Sequence, residues 1–253
     1  MGTGIPTGTA TAITTTGMSM ADAPAPLVAD AAGLYRLMTW LTASFPVGAF
    51  SYSHGLEWVV EEGTVRDVDA LVAWLDDLLI LGSGWNDAVL AAAGWRASAA
   101  GDWAVLGEVA DLAAALTPTA ERRLETLSQG RAFAAAIASA WPCAAVDRLR
   151  ARGGDLAYPV AVGAVAAGHG LSLPATLLGY LHGFVGNLVS AALRLVPLGQ
   201  TDGQRALARS EPLVLATVAR AAASTLDDLG GGAWLADIAS MNHETQYTRL
   251  FRS

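Results

Sequence analysis

The chain has 253 residues and a formal net charge of −8, a length that buries a substantial core without staples. Its single Cys143 excludes an internal disulfide or a thiolate metal cluster. All 15 basic residues are arginine, which excludes a P-loop lysine, a Schiff-base lysine and a Ser-x-x-Lys nucleophile; the acidic balance opposes nucleic-acid binding and favours a basic protein surface as partner.

Residues 1–32 are rich in Thr, Gly, Ala and Pro, with no basic residue and no apolar h-region. They read as a disordered extension rather than a signal peptide, with Met18 or Met20 as alternative starts, and 33–253 read as one domain. From there apolar residues recur at helical spacing, which predicts an all-α bundle of about ten helices. Leu34, Leu37, Met38 and Leu41 make the first stripe, ended by Phe45-Pro46. Leu56, Val59 and Val60 give a short second helix ending near Gly63, and Leu71, Trp74, Leu75, Leu78 and Leu79 a third that Gly82 and Gly84 break. Further helices are predicted over about 86–99 and 102–116, then from a restart at Thr117-Pro118 to about Ser139. Shorter elements follow around 146–149 and 160–167, punctuated by Pro142, Gly153-Gly154 and Pro159.

From 175 to 196 the stripe Leu177, Leu178, Leu181, Phe184, Val185, Leu188, Ala192 and Leu195 is flanked by Gly179, Gly183, Gly186, Asn187, Ser190 and Ala191. Small flanking residues let another helix approach closely, so this helix is expected at the buried centre of the bundle or at a dimer seam. It is also long enough to span a bilayer. His182, Asn187, Ser190 and Arg194 inside it favour a buried helix of a soluble protein, since arginine is costly in hydrocarbon.

The four histidines, His54, His169, His182 and His243, are far apart, with no HxxxH or CxxC spacing, so a permanent metal site is not expected. Ser51-Tyr-Ser53-His54-Gly55 suggests a serine hydrolase, but lacks the G-x-S-x-G elbow; serines capping the helix that starts near His54 explain it more simply. His243-Glu244 could hold a metal transiently, but reads more simply as a solvated pair in a terminal helix. Three polar or aromatic strings remain. Phe45-Pro-Val-Gly-Ala-Phe-Ser-Tyr52 sets aromatics around a turn, either plugged into the core or facing a partner. Gly199-Gln-Thr-Asp-Gly-Gln-Arg205 reads as a recognition surface. At the chain end, Tyr247, Leu250 and Phe251 would share a helical face flanked by Arg249 and Arg252; Tyr, Phe and Arg dominate interface energetics, and the other reading is a terminal helix docked on its own core.

These strings, with Gly55-Leu-Glu57, Glu121-Arg-Arg123, Gly130-Arg-Ala-Phe133, Tyr158-Pro-Val160, Asn187-Leu-Val-Ser-Ala191, Arg194-Leu-Val-Pro-Leu-Gly-Gln200 and His243-Glu-Thr-Gln-Tyr-Thr-Arg-Leu-Phe-Arg-Ser253, resemble the motifs of the urease accessory protein UreF family from about Leu34 onward. Asn242 departs from the family, which is usually basic there. The resemblance implies a cytoplasmic, non-catalytic, dimerising helical protein with no stably bound cofactor. It bridges UreD (also called UreH) and the GTPase UreG, and helps insert nickel into apo-urease, the metal being handled in transit by the complex. It further implies a UreD-facing surface at His243, Glu244, Tyr247, Arg249, Leu250, Phe251 and Arg252, with Glu57 and Arg194 on functional, UreG-facing surface and Gln200 among the partner-binding residues. An alternative is a GTPase-activating or gating regulator of UreG without a direct role in nickel passage; Arg194 is either a finger supplied to the partner's GTP or a cap on the carbonyl end of the long helix. The isolated chain is expected to need UreD for good behaviour, given its 53% hydrophobic content.

Overall fold

A computed structural model of the chain describes residues 1–2 and 31–252, so the extension expected over 1–32 lies almost wholly outside the described residues. Within them the sequence's helical periodicity becomes eleven α-helices and no strand: α1 (Ala31–Trp40), α2 (Leu56–Glu61), α3 (Val68–Leu81), α4 (Ser83–Ala99), α5 (Trp103–Ala115), α6 (Ala120–Ala140), α7 (Ala144–Arg152), α8 (Tyr158–Gly168), α9 (Leu173–Leu195), α10 (Gln200–Ala223) and α11 (Trp234–His243).

Short polar side chains start the helices by accepting from amides that the first turn leaves unpaired. Asp67 accepts from Ala70 N, Asp102 from Val105 N, Thr119 from Arg122 N and Ser172 from Ala175 N. The restart expected at Thr117-Pro118 therefore sits two residues later. Pro118 disfavours helical backbone at the residue before it, and the Thr117 hydroxyl instead closes α5 by donating to the Ala114 carbonyl. Likewise only Gly82 breaks the third helix, because Gly84 lies inside α4.

The helix enclosed at the centre is α8 rather than α9. Pro159 to Ala166, eight of its eleven residues, are buried, as expected of a helix that is apolar on every side. Its closest neighbour is α4: a Cβ on Gly163 would lie 2.1 Å from the Ala91 carbonyl oxygen, so the two backbones touch where no side chain fits. Helix α9 lays Leu177, Leu181, Phe184, Val185 and Leu188 on the core, but Leu178 is exposed. Among the described residues α9 is the one helix long and apolar enough to cross a bilayer, yet half of that window is buried in the bundle. Its polar groups are engaged there: the Tyr180 hydroxyl donates to Asp87 and the Asn187 amide to the Tyr52 carbonyl.

The string 199–205 proves to be the start of α10. The Gly199 amide donates to the Asp202 carboxylate at 3.1 Å, Arg205 pairs with Asp202, and Gly203 is packed against Leu193. Gln200 is left exposed at the first turn. At the other end of α10, Arg96 donates to the Ser224 and Ala222 carbonyls, and Trp85 Nε1 to the Asp228 carbonyl. The linker to α11 is thereby bound to α4.

Replacing Gly163 with alanine forces the α4–α8 contact apart. The expected loss is about 1–3 kcal/mol, read as a lower urea midpoint at unchanged slope; an unchanged midpoint would show that the two helices are not in backbone contact.

Candidate functional site

Helix α11 ends at His243, and the remaining residues follow a turn-rich path. Tyr247, Leu250 and Phe251 therefore do not share a helical face. The physical reason is a competing acceptor: the Glu57 carboxylate, on α2, takes the Leu250 amide at 2.6 Å and the Phe251 amide at 2.9 Å, while the Arg252 amide donates to the Ser51 carbonyl at 2.8 Å. Phe251 is consequently 4% exposed, whereas Tyr247 and Leu250 point outward. Burying a phenylalanine ring contributes about 1.5–3 kcal/mol.

A second carboxylate completes the seat. Glu121, in the first turn of α6, accepts from Arg249 at 2.9 Å and faces His243 Nδ1 at 2.7 Å, while His243 Nε2 lies 3.0 Å from Glu57. The imidazole is fully buried between the two carboxylates. Filling both contacts takes one proton beyond a neutral ring and two carboxylates, and burial raises the Glu121 carboxyl above its ordinary value. Glu244 accepts from the Ala120 amide, capping α6, and Thr119 and Ser240 bond through their hydroxyls at 2.8 Å. Helix α11 reaches these partners because Gly55, at φ +76°, has no Cβ; one built there would lie 2.8 Å from Ser240 N.

Arg194 closes the seat from α9. It donates to the Ser190 and Phe50 carbonyls, with its guanidinium carbon 3.6 Å from the Phe50 ring centroid and 4.2 Å from that of Phe251. The aromatic turn plugs part of itself into the core, as one reading of its sequence predicts, and leaves part outside. Phe45 and Tyr52 are buried, while Phe50 stays half exposed under Arg194.

The structure therefore brings together Glu57, Arg194, His243, Glu244, Arg249, Leu250, Phe251 and Arg252, but leaves Gln200 elsewhere at the start of α10. Three of these residues, Glu57, His243 and the 4% exposed Phe251, cannot face a partner directly. Glu57 is 7% exposed and His243 is 0% exposed, so they act by holding the tail, and the reading of His243 as solvated is corrected. The sequence reading missed the outer face of α11. Trp234, Leu235, Ile238 and Met241 are all exposed, while Ala236, Ala239 and Ser240 turn inward. Their i, i+4, i+7 spacing was the available signal.

A second polar cluster lies deeper. His54, in the left-handed region at φ +56°, turns its Nε2 to Glu125 at 2.8 Å and to an Arg122 donor at 2.6 Å. Arg122 also pairs with Glu125 and, at 4.0 Å, approaches Asp87. Ser53 instead accepts from the Glu57 amide, as a cap, so the serine–histidine pairing loses its base to Glu125 and Arg122. The charge of Arg122 and the contact with His54 outweigh burial and hold the Glu125 carboxyl down at about 2, whereas burial dominates at Asp87 and pushes it up to about 6. Burial and Arg122 both lower His54. Among the described residues no group of three or more His, Cys, Asp or Glu is arranged to hold a metal ion.

Comparison with known proteins gives a consistent match. The UreF family profile matches residues 65–211. The urease accessory protein UreF of Rhodopseudomonas palustris strain BisA53 is 56% identical over 224 residues, covering 88% of this chain and 94% of the relative. That of strain HaA2 is 56% identical over 230 residues, covering 90% and 97%. The protein of the same description from Bradyrhizobium diazoefficiens is 54% identical over 225 residues, covering 88% and 93%.

Two outcomes follow from this geometry. In a double-mutant cycle, Arg194→Ala and Phe251→Ala should couple by about 0.5–2 kcal/mol; additive losses would mean that the guanidinium does not hold the ring. Because Glu125 titrates lower in the folded chain than its ordinary 4.5, its stabilisation is complete above about pH 4.5 and is lost as pH falls toward 2. Glu125→Gln should flatten stability across that window, and an acid limb as steep as in the wild type would refute the assignment.

Proposed function

Given that this chain belongs to the urease accessory protein UreF family, with the role in urease maturation that membership carries, we propose that it bridges UreD and the GTPase UreG and assists GTP-dependent nickel insertion into apo-urease. Nickel is cargo in this reading, handled in transit by the complex and not kept as a resident cofactor. The working compartment is the cytoplasm.

One observation supports the bridge above the rest: α11 presents Trp234, Leu235, Ile238 and Met241 to solvent, beside a tail that is fixed on Glu57 and Glu121 yet leaves Tyr247 and Leu250 outside. Exposed apolar surface of this kind marks a docking site, and a tail already ordered loses less entropy when a partner binds. We assign UreD to this face. Phe50 and the outer edge of Arg194 are left for UreG, with Glu57 supporting them from beneath. A homodimer would use the groove between α1, α9 and α10, where Leu34, Met38, Leu178 and Leu215 are exposed.

The alternative of a GTPase-activating regulator needs a free arginine finger. Arg194 is engaged by two carbonyls and two rings, which favours its service as a clamp on the tail.

Ile238→Glu and Leu250→Asp should each reduce UreD recovered by co-purification by at least about tenfold while leaving the thermal midpoint near that of the wild type, because both side chains lie outside the core. Undiminished capture of UreD by both variants would overturn the assignment of this face.

A further inference from the structure

The buried imidazole at the end of α11 meets more acceptors than a neutral ring has protons. Glu121 Oε2 stands 2.7 Å from His243 Nδ1, and Glu57 Oε2 stands 3.0 Å from Nε2. An ionised carboxylate only accepts, and a neutral imidazole carries a single N–H. With the ring neutral and both acids ionised, one of the two contacts sets an acceptor against an acceptor, around a residue that is 0% exposed. Sealed from water, such a pair is costly. One added proton, on the ring or on Glu121, turns both contacts into hydrogen bonds, and burial already raises the Glu121 carboxyl.

The surrounding charges favour keeping that proton. Helix α11 packs on α2 and α6. From α2 come Glu57 and, one turn on, Glu61, which accepts from the Gln246 amide. From α6 comes Glu121, whereas Arg122 beside it pairs with Glu125 in the deeper cluster. Glu244 and Arg249 follow His243 in the chain; Glu244 caps α6 and Arg249 donates to Glu121. Asp237, on α11 itself, interacts with Arg122. Arg194 of α9 acts on Glu57. Glu57, Glu61, Glu121 and Glu244 thus stand against Arg194 and Arg249, and the excess is negative.

We propose that Glu57, His243 and Glu121 form a proton-operated latch: one proton shared among them closes the chain end onto α2 and α6, and its loss at alkaline pH releases the tail and the docking surface the tail completes. The carboxylate that faces Nε2 also holds the Leu250 and Phe251 amides, so latch and tail open as one unit. Above the ordinary imidazole value of about 6.5 the opened parts hold no such proton. Capture is therefore fully present below that value and weakens as pH rises, by up to about tenfold in the opening constant per pH unit. His54, the other buried imidazole, is held below its ordinary value and stays neutral across this window. This inference rests on the reading of α11 and the tail as a partner-facing surface and adds what controls its assembly.

The test follows amide exchange at Leu250 and Phe251 in the full chain from about pH 6 to 9, corrected at each pH for the intrinsic exchange rate, with α4 and α8 as internal references. Wild-type protection at both amides should fall by at least about tenfold between pH 7 and 9 while α4 and α8 keep theirs. Glu121→Gln separates a proton latch from a merely structural contact. Its new amide nitrogen can donate to Nδ1 of a neutral ring while its oxygen still accepts from Arg249, so protection should persist to pH 9 with less than about twofold change. Wild-type protection that is flat from pH 7 to 9 overturns the latch, as does Glu121→Gln protection that keeps the wild-type slope or is lost at every pH. Capture of UreD at limiting concentration should decline over the same range and persist in Glu121→Gln; capture that ignores pH while exchange follows it overturns the control of docking. Absence of capture at every pH, with pH-dependent exchange intact, would refute the docking reading and leave the latch standing, so the two failures are distinguishable.

Discussion

A carboxylate removed from water must find donors inside the protein or lose its charge, and four of them, Glu57, Asp87, Glu121 and Glu125, are drawn into this helical bundle. Each is met by at least one group distant in sequence. Glu57 takes two amides from the chain end, Glu121 takes Arg249 and His243, Glu125 takes Arg122, His54 and Gln129, and Asp87 takes Tyr180. The apolar stripes supply most of the driving force for collapse, but they are tolerant of sliding. These pairings are not, and they fix how α2, α4, α6, α9 and α11 stand against one another.

The functional surface follows from that constraint. A chain terminus is ordinarily poorly ordered unless tied down, and here two buried carboxylates and one arginine between aromatic rings tie it. Because the amides of Leu250 and Phe251 are consumed inward, the Tyr247 and Leu250 side chains stay outside beside the apolar face of α11. Glu57 and His243 are inaccessible, so any influence they have on assembly would pass through the tail they hold. Under the proposed bridging role, this chain would contribute to urease maturation through that presenting surface.

The fold was largely legible in the sequence because helical periodicity is a local signal: α3 to α9 lie within a few residues of where their stripes place them, whereas α10 was read only as a polar string at its start. What was misjudged depended on contacts between distant segments. The fully apolar α8 lacks a stripe, so its central position was less visible than that of the longer, amphipathic α9. The terminal string reads as a helix by spacing, and nothing local reveals that Glu57, nearly 200 residues away, will capture its amides. Gly199 to Arg205 looked like a recognition string because Asp202 and Gly203 are polar or flexible, yet both serve the first turn of α10. His54 seemed coupled to its neighbouring serines; its left-handed backbone points it instead to Glu125 and Arg122. The resemblance to a family named residues most of which the fold gathers at the chain end, and only the tertiary structure separated those that face outward from those that hold the tail in place.

The tail's capture is tested most directly by amide hydrogen exchange in the full native chain, followed residue by residue at the carboxyl end. Leu250, Phe251 and Arg252 should exchange orders of magnitude more slowly than Tyr247 and Thr248, with the protection of Leu250 and Phe251 abolished in Glu57→Gln while α4 and α8 remain protected. Exchange of Leu250 and Phe251 at the rate of an unstructured peptide in the wild-type chain would show that the terminus is not held by Glu57, and the presenting surface derived from it would fall.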